Sequence, residues 1–262
     1  MARPLRVILH PGFHKTGTTS VQQTLRANRR VLSAHVRILL RPAMVAVCES
    51  ARAWSAGGDP LDAALFRHEL ARLAETWASD DSRPVLLASE DLCGHMPGRQ
   101  GLDSYAAAQP LMQAAIATIT AVHPGAAPVL YFSTRAAGPW LASCHAQHLT
   151  ASRMVLTARE YGQRYRASAD LDAVIDAIAA ALPCPVRRAA LEDSAARRLG
   201  PLEPLLDVIG LPDTVRAALA AQPRANTAPP PQVLDRLLEL NRSDLDDAAL
   251  RAAKRAVLQT AA

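Results

Sequence analysis

A ten-residue segment near the start of the chain, PGFHKTGTTS over residues 11–20, constrains the fold more than any other part of the sequence. A short apolar run over residues 5–9 precedes it, and an amphipathic stretch begins near Ser20. A strand, a glycine-containing turn and a helix start, in this order, aim backbone N–H groups and the positive end of a helix dipole at one point. The segment therefore predicts a β-strand, an anion-binding loop and an α-helix.

The loop departs from that of the nucleotide triphosphatases at one position. Gly12 and Gly17 have P-loop spacing, but Thr18 stands where those proteins carry lysine. The lysine lies inside the turn, as Lys15, and the chain has only one other, Lys254, because arginine supplies nearly all of its positive charge. A compact ammonium group at this place favours a close point charge on a phosphate. We expect an anion site that does not bind the γ-phosphate of ATP.

Apolar runs further along the chain predict a parallel sheet. Runs typical of buried strands lie at residues 5–9, 36–40, 85–88, 129–133 and, more weakly, 186–189. Helical patterns between them predict a three-layer parallel α/β fold, and beyond residue 150 the pattern is mostly helical. We predict a single domain over residues 1–262, with a ligand-binding α/β core over 1–150 and a helical extension over 151–262.

Two more strand ends carry polar side chains. Glu90 follows the run 85–88, and Arg135 follows the run 129–133, with Ser143 eight residues later in the next predicted helix. Ligands of open α/β sheets bind outside the carboxyl ends of the strands. We therefore expect these three side chains to lie at the same edge of the sheet as the loop.

The loop, with a lysine ahead of Gly-Thr-Thr and a helix behind it, resembles the 5′-phosphosulfate loop of the sulfotransferases. Those enzymes move a sulfuryl group from 3′-phosphoadenosine 5′-phosphosulfate (PAPS) to a hydroxyl or amine. The resemblance implies that loop amides and hydroxyls hold the 5′-phosphate, while Lys15 neutralises charge where the sulfate leaves. Arg135 and Ser143 resemble the family's clamp on the 3′-phosphate, which ATP lacks. The cofactor-binding residues implied in this way are His14, Lys15, Thr16, Gly17, Thr18, Thr19, Arg135 and Ser143.

The resemblance also implies a general base near the end of a central strand, because the acceptor loses a proton as its oxygen attacks. Glu90 is our candidate base and, with Lys15, forms the predicted catalytic pair. The rivals for the role of base are His14, His95, His145 and His148. The segment Arg224-Ala225-Asn226-Thr227 loosely resembles one that closes over the cofactor in bacterial relatives. The Arg-Lys-Gly-x-x-Gly stretch of the cytosolic sulfotransferases is absent.

Composition and charge limit the classes of binding partner that we expect. The net charge is +5, but the arginines are spread along the chain and aromatic residues are only 4%, so we expect no nucleic-acid partner. A polyanionic co-substrate or an acidic acceptor accounts for the charge equally well. The four cysteines have no ligand spacing, no carboxylate pair suits Mg²⁺, and no apolar run could form a signal peptide or membrane span. These features predict a cytoplasmic protein without a metal.

Three functions remain open on the sequence. The first is PAPS-dependent sulfuryl transfer to a small-molecule, glycan, lipid or peptide acceptor. The second is an ATP-dependent phosphotransferase, although Thr18 stands where that enzyme would carry lysine. The third is a nucleotide-binding protein that keeps the fold without turnover.

Overall fold

The structure is a computed structural model that describes residues 4–78, 81–223 and 229–260. Five parallel strands form one sheet in the order β2-β3-β1-β4-β5. The strands are β1 (Arg6–His10), β2 (Arg37–Leu40), β3 (Val85–Ala88), β4 (Ala127–Thr134) and β5 (Val186–Ala190). Each predicted strand is present, so the predicted parallel α/β sheet is confirmed.

Helices connect the strands. In chain order they are α1 (Thr18–Ala27), α2 (Arg29–Leu32), α3 (Val45–Gly57), α4 (Pro60–Glu75), α5 (Ala108–Val122), α6 (Ala137–Ala151), α7 (Ala158–Arg164), α8 (Leu171–Ala181), α9 (Leu191–Ser194), α10 (Glu203–Ile209), α11 (Asp213–Ala217), α12 (Pro231–Arg242) and α13 (Asp247–Thr260). Short 3₁₀ helices lie at Arg41–Ala43, Glu90–Cys93, Ala167–Ala169 and Gly200–Leu202.

The sheet is covered on both faces because its strands bury side chains alternately to either side. Ile8, Leu86 and Tyr131 belong to one apolar cluster, which α1 and α10 complete. Leu9 and Leu87 belong to the other, which contains buried side chains of α3, α4, α5 and α8. The three-layer arrangement predicted from the sequence is therefore confirmed.

Helix α3 was not predicted, because the helical pattern expected between the second and third strands covers residues 61–77 only. This helix starts after Met44 without a side-chain cap, and its buried face contains mostly small side chains: Val47, Cys48, Ser50 and Ala51. It therefore lacks both the capping signal and the row of large apolar residues by which amphipathic helices are recognised. The omission matters because Arg52 of α3 lines the cleft described below.

The chain after residue 151 is mostly helical, as predicted, but β5 pairs with β4 and joins this part to the sheet. Helices α12 and α13 pack against each other, and α12 also packs on α6. Lys254 of α13 is buried and donates hydrogen bonds to the carbonyl oxygens of Leu149 (2.7 Å) and Ser152 (2.8 Å) at the end of α6. An ammonium group at this place satisfies carbonyls that have no partner within the helix.

Candidate active site

The order of the strands brings three chain segments together. Strands β3, β1 and β4 are neighbours at the centre of the sheet, and the residues that follow each of them line one cleft of about 670 Å³. Of the residues predicted for the site, those that line the cleft are His14, Lys15, Gly17, Thr18, Thr19, Glu90, Arg135 and Ser143. The cleft lies where open α/β sheets bind their ligands.

Thr16, which was predicted to bind the cofactor as part of the loop, does not line the cleft with its side chain. The side chain is fully buried, and its hydroxyl donates to the carbonyl of Phe13 and shares a hydrogen bond with Ser133 Oγ, each at 2.6 Å. Both of its hydrogen-bonding directions are therefore used to fix the loop against the end of β4. Thr16 supports the shape of the anion loop from behind.

Segments around β4 and α6 also hold the backbone of the loop. The indole Nε1 of Trp140 donates to the carbonyl of His14 at 2.9 Å. Arg135 donates through Nη1 to the carbonyl of Lys15 at 3.2 Å. Two carbonyl oxygens of the loop are thus bonded to the protein and turned away from the cleft.

Two glycines in the loop meet both a conformational and a steric requirement. Gly12 has a φ of 112°, and a Cβ there would lie 3.1 Å from Glu90 Cα. Gly17 has a φ of 96°, and a Cβ there would lie 2.9 Å from Leu191 Cδ1. Lys15 itself has a φ of 64°, a left-handed conformation that is costly for a side chain of this kind. The loop therefore fits closely between β3 on one side and the start of α9 on the other.

The N-terminal end of α1 lacks a side chain that would cap its free N–H groups. Its N-cap is Gly17, which has no side chain to cap it, and the first turn contains no acidic residue. The hydroxyls of Thr18, Thr19 and Ser143 have no hydrogen-bond partner among the described residues. Four N–H groups at a helix start need partners, and an anion in the cleft would supply them.

Lys15 adds the positive charge that such an anion requires. Its Nζ lies 3.3 Å from Gln147 Oε1, to which it donates a hydrogen bond. Burial lowers the pKa of Lys15, and the charge of Arg135 lowers it further, against the opposing influence of Cys144 and Glu90. A phosphate in the cleft would relieve this cost because it would restore an opposite charge beside the ammonium group.

Glu90 stands at the end of β3 and is held by a residue that the sequence analysis missed. Gln22, on the buried side of α1, donates from Nε2 to Glu90 Oε2 at 2.7 Å. The other carboxylate oxygen has no hydrogen-bond partner among the residues described here. One oxygen is therefore fixed by α1 while the group borders the cleft, as a base for an incoming hydroxyl would need.

A second carboxylate, Asp91, also lines the cleft but is already paired. Its Oδ2 accepts from Arg41 Nε at 2.7 Å, and its Oδ1 lies 3.9 Å from His14 Nε2. Burial alone would raise the pKa of Asp91, but the nearby His14 ring and the hydrogen bond from Arg41 outweigh it and bring the pKa below its usual value. The other ring nitrogen of His14 is hydrogen-bonded to the hydroxyl of buried Tyr105 at 3.1 Å.

The four histidine rivals of Glu90 separate into two pairs. His14 and His95 line the cleft, whereas His145 and His148 do not. His145 Nε2 is bonded to the carbonyl of Leu156 at 2.8 Å, and His148 Nδ1 to the hydroxyl of Tyr161 at 2.9 Å. Burial lowers the pKa of His148 to about 4, so its ring is neutral at neutral pH. Both act as packed, hydrogen-bonded side chains of α6.

Four arginines that the sequence analysis did not select also line the cleft: Arg52, Arg99, Arg197 and Arg198. Arg52 belongs to α3, whereas Arg99, Arg197 and Arg198 lie in segments that are neither helix nor strand. Arg198 donates to the carbonyl of Leu219 at 2.6 Å and so supports the wall. No sequence signal marked these arginines, because their place depends on how α3 and the segment after β5 fold back over the sheet.

The remaining sequence predictions concern the segment at Arg224, metal binding and membrane spans. Arg224, Ala225, Asn226 and Thr227 lie outside the described residues, although Gln222, shortly before them, lines the cleft. Over residues 4–78, 81–223 and 229–260, no three histidine, cysteine or acidic side chains come together as a metal site would need. None of the helices described is long and apolar enough to cross a membrane.

Comparisons with known proteins give a loose likeness. A sulfotransferase from Alicyclobacillus acidocaldarius has a TM-score of 0.49 at 16% identity, covering 99% of this chain and 97% of the other. A protein called APE1195 has a TM-score of 0.37 at 10% identity, covering 84% of this chain and 98% of the other. No family model and no curated protein matches the sequence. At these values the likeness does not decide what the chain does.

Proposed function

We propose that this protein is a sulfotransferase that moves a sulfuryl group from PAPS to a hydroxyl or amine of an acceptor. The observation that carries the proposal is the meeting of three strand ends in one cleft. Lys15 follows β1, Glu90 follows β3 and Arg135 follows β4, and all three line the same space. A phosphate-binding loop, a carboxylate and a second cationic group are what transfer from a phosphosulfate donor requires.

The residues around the loop suit a 5′-phosphosulfate. The uncapped start of α1 and the hydroxyls of Thr18 and Thr19 would hold the phosphate. Lys15 would stabilise the negative charge that grows on the phosphate as the sulfuryl group departs. A preorganised donor aimed at developing charge is among the strongest catalytic devices that proteins use. PAPS, when bound, supplies the activated sulfuryl group.

Arg135 and Ser143 are assigned to the 3′-phosphate. Among the described residues Arg135 makes one side-chain hydrogen bond, from Nη1 to the carbonyl of Lys15, so part of its guanidinium fork remains for a ligand. The hydroxyl of Ser143 has no partner within the described chain and borders the same cleft. Charged forks bind phosphate strongly and directionally. This pair would distinguish PAPS from ATP and ADP, which have no 3′-phosphate.

Glu90 is assigned as the base. It would accept the acceptor's proton on the carboxylate oxygen that Gln22 leaves free, while the hydrogen bond from Gln22 keeps the group from turning away. His14 is the alternative base in the cleft, and its hydrogen bond to Tyr105 would orient its ring. His95 also lines the cleft, but burial and the charges of Arg52, His14 and Arg99 lower its pKa. Of the three, only Glu90 follows a central strand directly.

The deciding experiment measures binding and turnover separately. The melting temperature would be recorded with 3′-phosphoadenosine 5′-phosphate (PAP), with ADP and with ATP plus Mg²⁺. PAP at about a hundred times its dissociation constant should add roughly 2.7 kcal/mol of apparent stability, and the other two much less. Release of PAP from PAPS would then be followed with and without pools of sugar, lipid, peptide and phenol acceptors.

The three functions left open by the sequence give different outcomes. A sulfotransferase prefers PAP in the melting test and releases it faster when an acceptor is present. A nucleotide-binding protein without turnover shows the first result and not the second. A phosphotransferase is stabilised by ATP plus Mg²⁺ at least as strongly as by PAP, and that result would overturn the proposal.

A further inference from the structure

The cleft carries more positive charge than its carboxylates balance. Its ionisable lining residues, histidines aside, comprise two carboxylates, Glu90 and Asp91, and six cationic side chains, Lys15, Arg52, Arg99, Arg135, Arg197 and Arg198. Asp91 is in addition paired with Arg41, which is not itself part of the lining. A cleft with walls of one sign concentrates ligands of the opposite sign.

The cations lie on two sides of the loop. Lys15 and Arg135 are at the loop, and Arg197 and Arg198 belong to the segment whose Leu191 and Pro201 pack against Gly17. These four lie on the side assigned to the donor. The remaining two are Arg52, which belongs to α3 and lies 4.0 Å from Asp91, and Arg99, which belongs to the turn after the 3₁₀ helix Glu90–Cys93. Both act on the pKa of His95, so we place them with the segment that follows Glu90.

Arg52 and Arg99 differ in how far their charge is used. Arg52 lies 3.3 Å from Glu49 and 4.0 Å from Asp91, so it is partly neutralised. The guanidinium of Arg99 makes no hydrogen bond or ion pair within residues 4–78, 81–223 and 229–260, although its side chain is only half-exposed. His95 is close to both arginines. Burial lowers the pKa of His95, and the charges of Arg52 and Arg99 lower it further. A half-buried, unpaired guanidinium costs free energy that an anionic ligand would recover.

The backbone fixes Arg99 at the rim of the cleft. The N–H of Arg99 donates to the carbonyl of Met96 at 3.2 Å, and its carbonyl accepts from Leu102 at 2.9 Å. Gly98, at a φ of 91°, brings the turn so close to α6 that a Cβ there would lie 2.5 Å from His148 Cε1. The unpaired charge is therefore presented from an ordered turn.

We propose that the acceptor is itself anionic, and that Arg99, with Arg52 beside it, binds a carboxylate or sulfate group of the acceptor while its hydroxyl lies at Glu90. This inference rests on the proposed function, because it assigns the Glu90 side of the cleft to the acceptor. The five N–H donors of guanidinium match the planar fork of a carboxylate and the oxygens of a sulfate ester. Neutral acceptors would leave Arg99 without a partner.

The test uses protein saturated with PAP, so that the donor side is occupied. Four probes form two matched pairs: glucuronate against glucuronamide for the carboxylate, and glucose 6-sulfate against glucose for the sulfate. Their affinities would be measured by isothermal titration calorimetry. Hydrogen bonds to charged groups are worth about 1.5–3 kcal/mol, so at least one anion should bind about tenfold or more tightly than its neutral partner.

The variants separate a specific contact from general attraction. Arg99→Ala should remove most of the preference for the anion, and Arg99→Lys should retain part of it. Arg67→Ala is the matched control: Arg67 is an exposed arginine of α4 outside the cleft, without an ion pair among the described residues, and its removal changes net charge equally. The control should leave the preference unchanged.

Two results would overturn the inference while leaving the proposed function intact. One is PAP binding with no preference for the anion in either pair, whether all four probes bind or none does. The other is a preference that survives Arg99→Ala. If PAP does not bind, the proposed function fails by itself, and the same titrations without PAP still decide whether Arg99 selects anions.

Discussion

The two halves of the cleft are built in opposite ways. On the donor side the ligand-facing groups lack partners: α1 begins without a cap, the hydroxyls of Thr18, Thr19 and Ser143 make no hydrogen bond in the described chain, and Lys15 has one contact with a neutral amide. On the side assigned to the acceptor, the groups around the proposed base are already bound to protein, and the exception among the described residues is Arg99, whose guanidinium makes no hydrogen bond or ion pair. Glu90 is held by Gln22, Asp91 by Arg41 and His14 by Tyr105.

The difference indicates which half depends on its ligand. Unsatisfied donors cost free energy until an anion arrives, so the donor side should be stabilised strongly by binding. Paired side chains are oriented beforehand, so the acceptor side should contribute to chemistry without contributing much to donor affinity. Variants of the two halves should therefore separate binding from turnover.

The largest effect should come from Lys15. Because its ammonium is proposed to act where charge grows on the leaving phosphate, Lys15→Ala should lower turnover by about a hundredfold to a thousandfold with every acceptor. Turnover and the melting temperature of the ligand-free protein would be measured together. The melting temperature should not fall, since the burial of the ammonium group is unfavourable in the free protein. A loss confined to one acceptor would contradict the assignment to the donor side.

Glu90→Gln should lower turnover by roughly a hundredfold or more and leave PAP affinity almost unchanged, since the carboxylate is needed only for proton removal. The deficit should shrink with an acceptor whose hydroxyl is already acidic, such as a nitrophenol. Gln22→Ala is the matched test of orientation and should reduce turnover less, because it frees the carboxylate without removing it. If Glu90→Gln abolishes PAP binding or lowers the melting temperature substantially, the carboxylate is structural and His14 becomes the candidate base.

Arg135→Ala should weaken PAP binding by about tenfold to a hundredfold and leave ADP binding nearly unchanged, because only PAP has a 3′-phosphate. Ser143→Ala should act in the same direction with a smaller loss. Calorimetry with both nucleotides would measure these effects, with Arg67→Ala as the control. Equal losses for PAP and ADP would mean that Arg135 acts through its hydrogen bond to the Lys15 carbonyl.

The smallest effect is a dependence of PAP affinity on pH. The pKa of Lys15 is lowered in the free protein, and phosphate binding requires the charged ammonium group. The affinity for PAP should therefore be highest at pH values below the lowered pKa of Lys15, and it should fall severalfold as the pH rises through that pKa. Lys15→Arg should remove the alkaline fall, because a guanidinium keeps its proton. An identical fall in that variant would assign the titration to another group.

The sequence predicted the strands and the loop because each is a local pattern. A buried parallel strand is a continuous apolar run, and a glycine turn between a strand and a helix is typical of an anion-binding loop. It predicted Glu90 and Arg135 because each follows such a strand directly. It did not predict Gln22, Arg52 or Arg99, whose roles depend on how α1, α3 and the turn at Gly98 approach the strand ends.

Thr16 shows what a local pattern leaves undetermined. It stands among residues that do line the cleft, and its spacing in the loop gives no sign that its hydroxyl is directed elsewhere. Only the approach of Ser133 from β4 explains why that hydroxyl is used inside the protein. Contacts between segments far apart in sequence decide which loop side chains reach a ligand.

The scarcity of lysine makes this protein suited to chemical labelling. Burial lowers the pKa of both lysines, but Lys254 is 6% exposed and its ammonium donates to carbonyl oxygens of α6, whereas Lys15 borders the cleft. Apart from the terminal amine, an acylating reagent therefore has one accessible amine in the folded chain, and it lines the cleft. The rate of acylation at Lys15, followed by mass spectrometry of the peptide that contains it, should report the occupancy of the cleft by any unlabelled ligand.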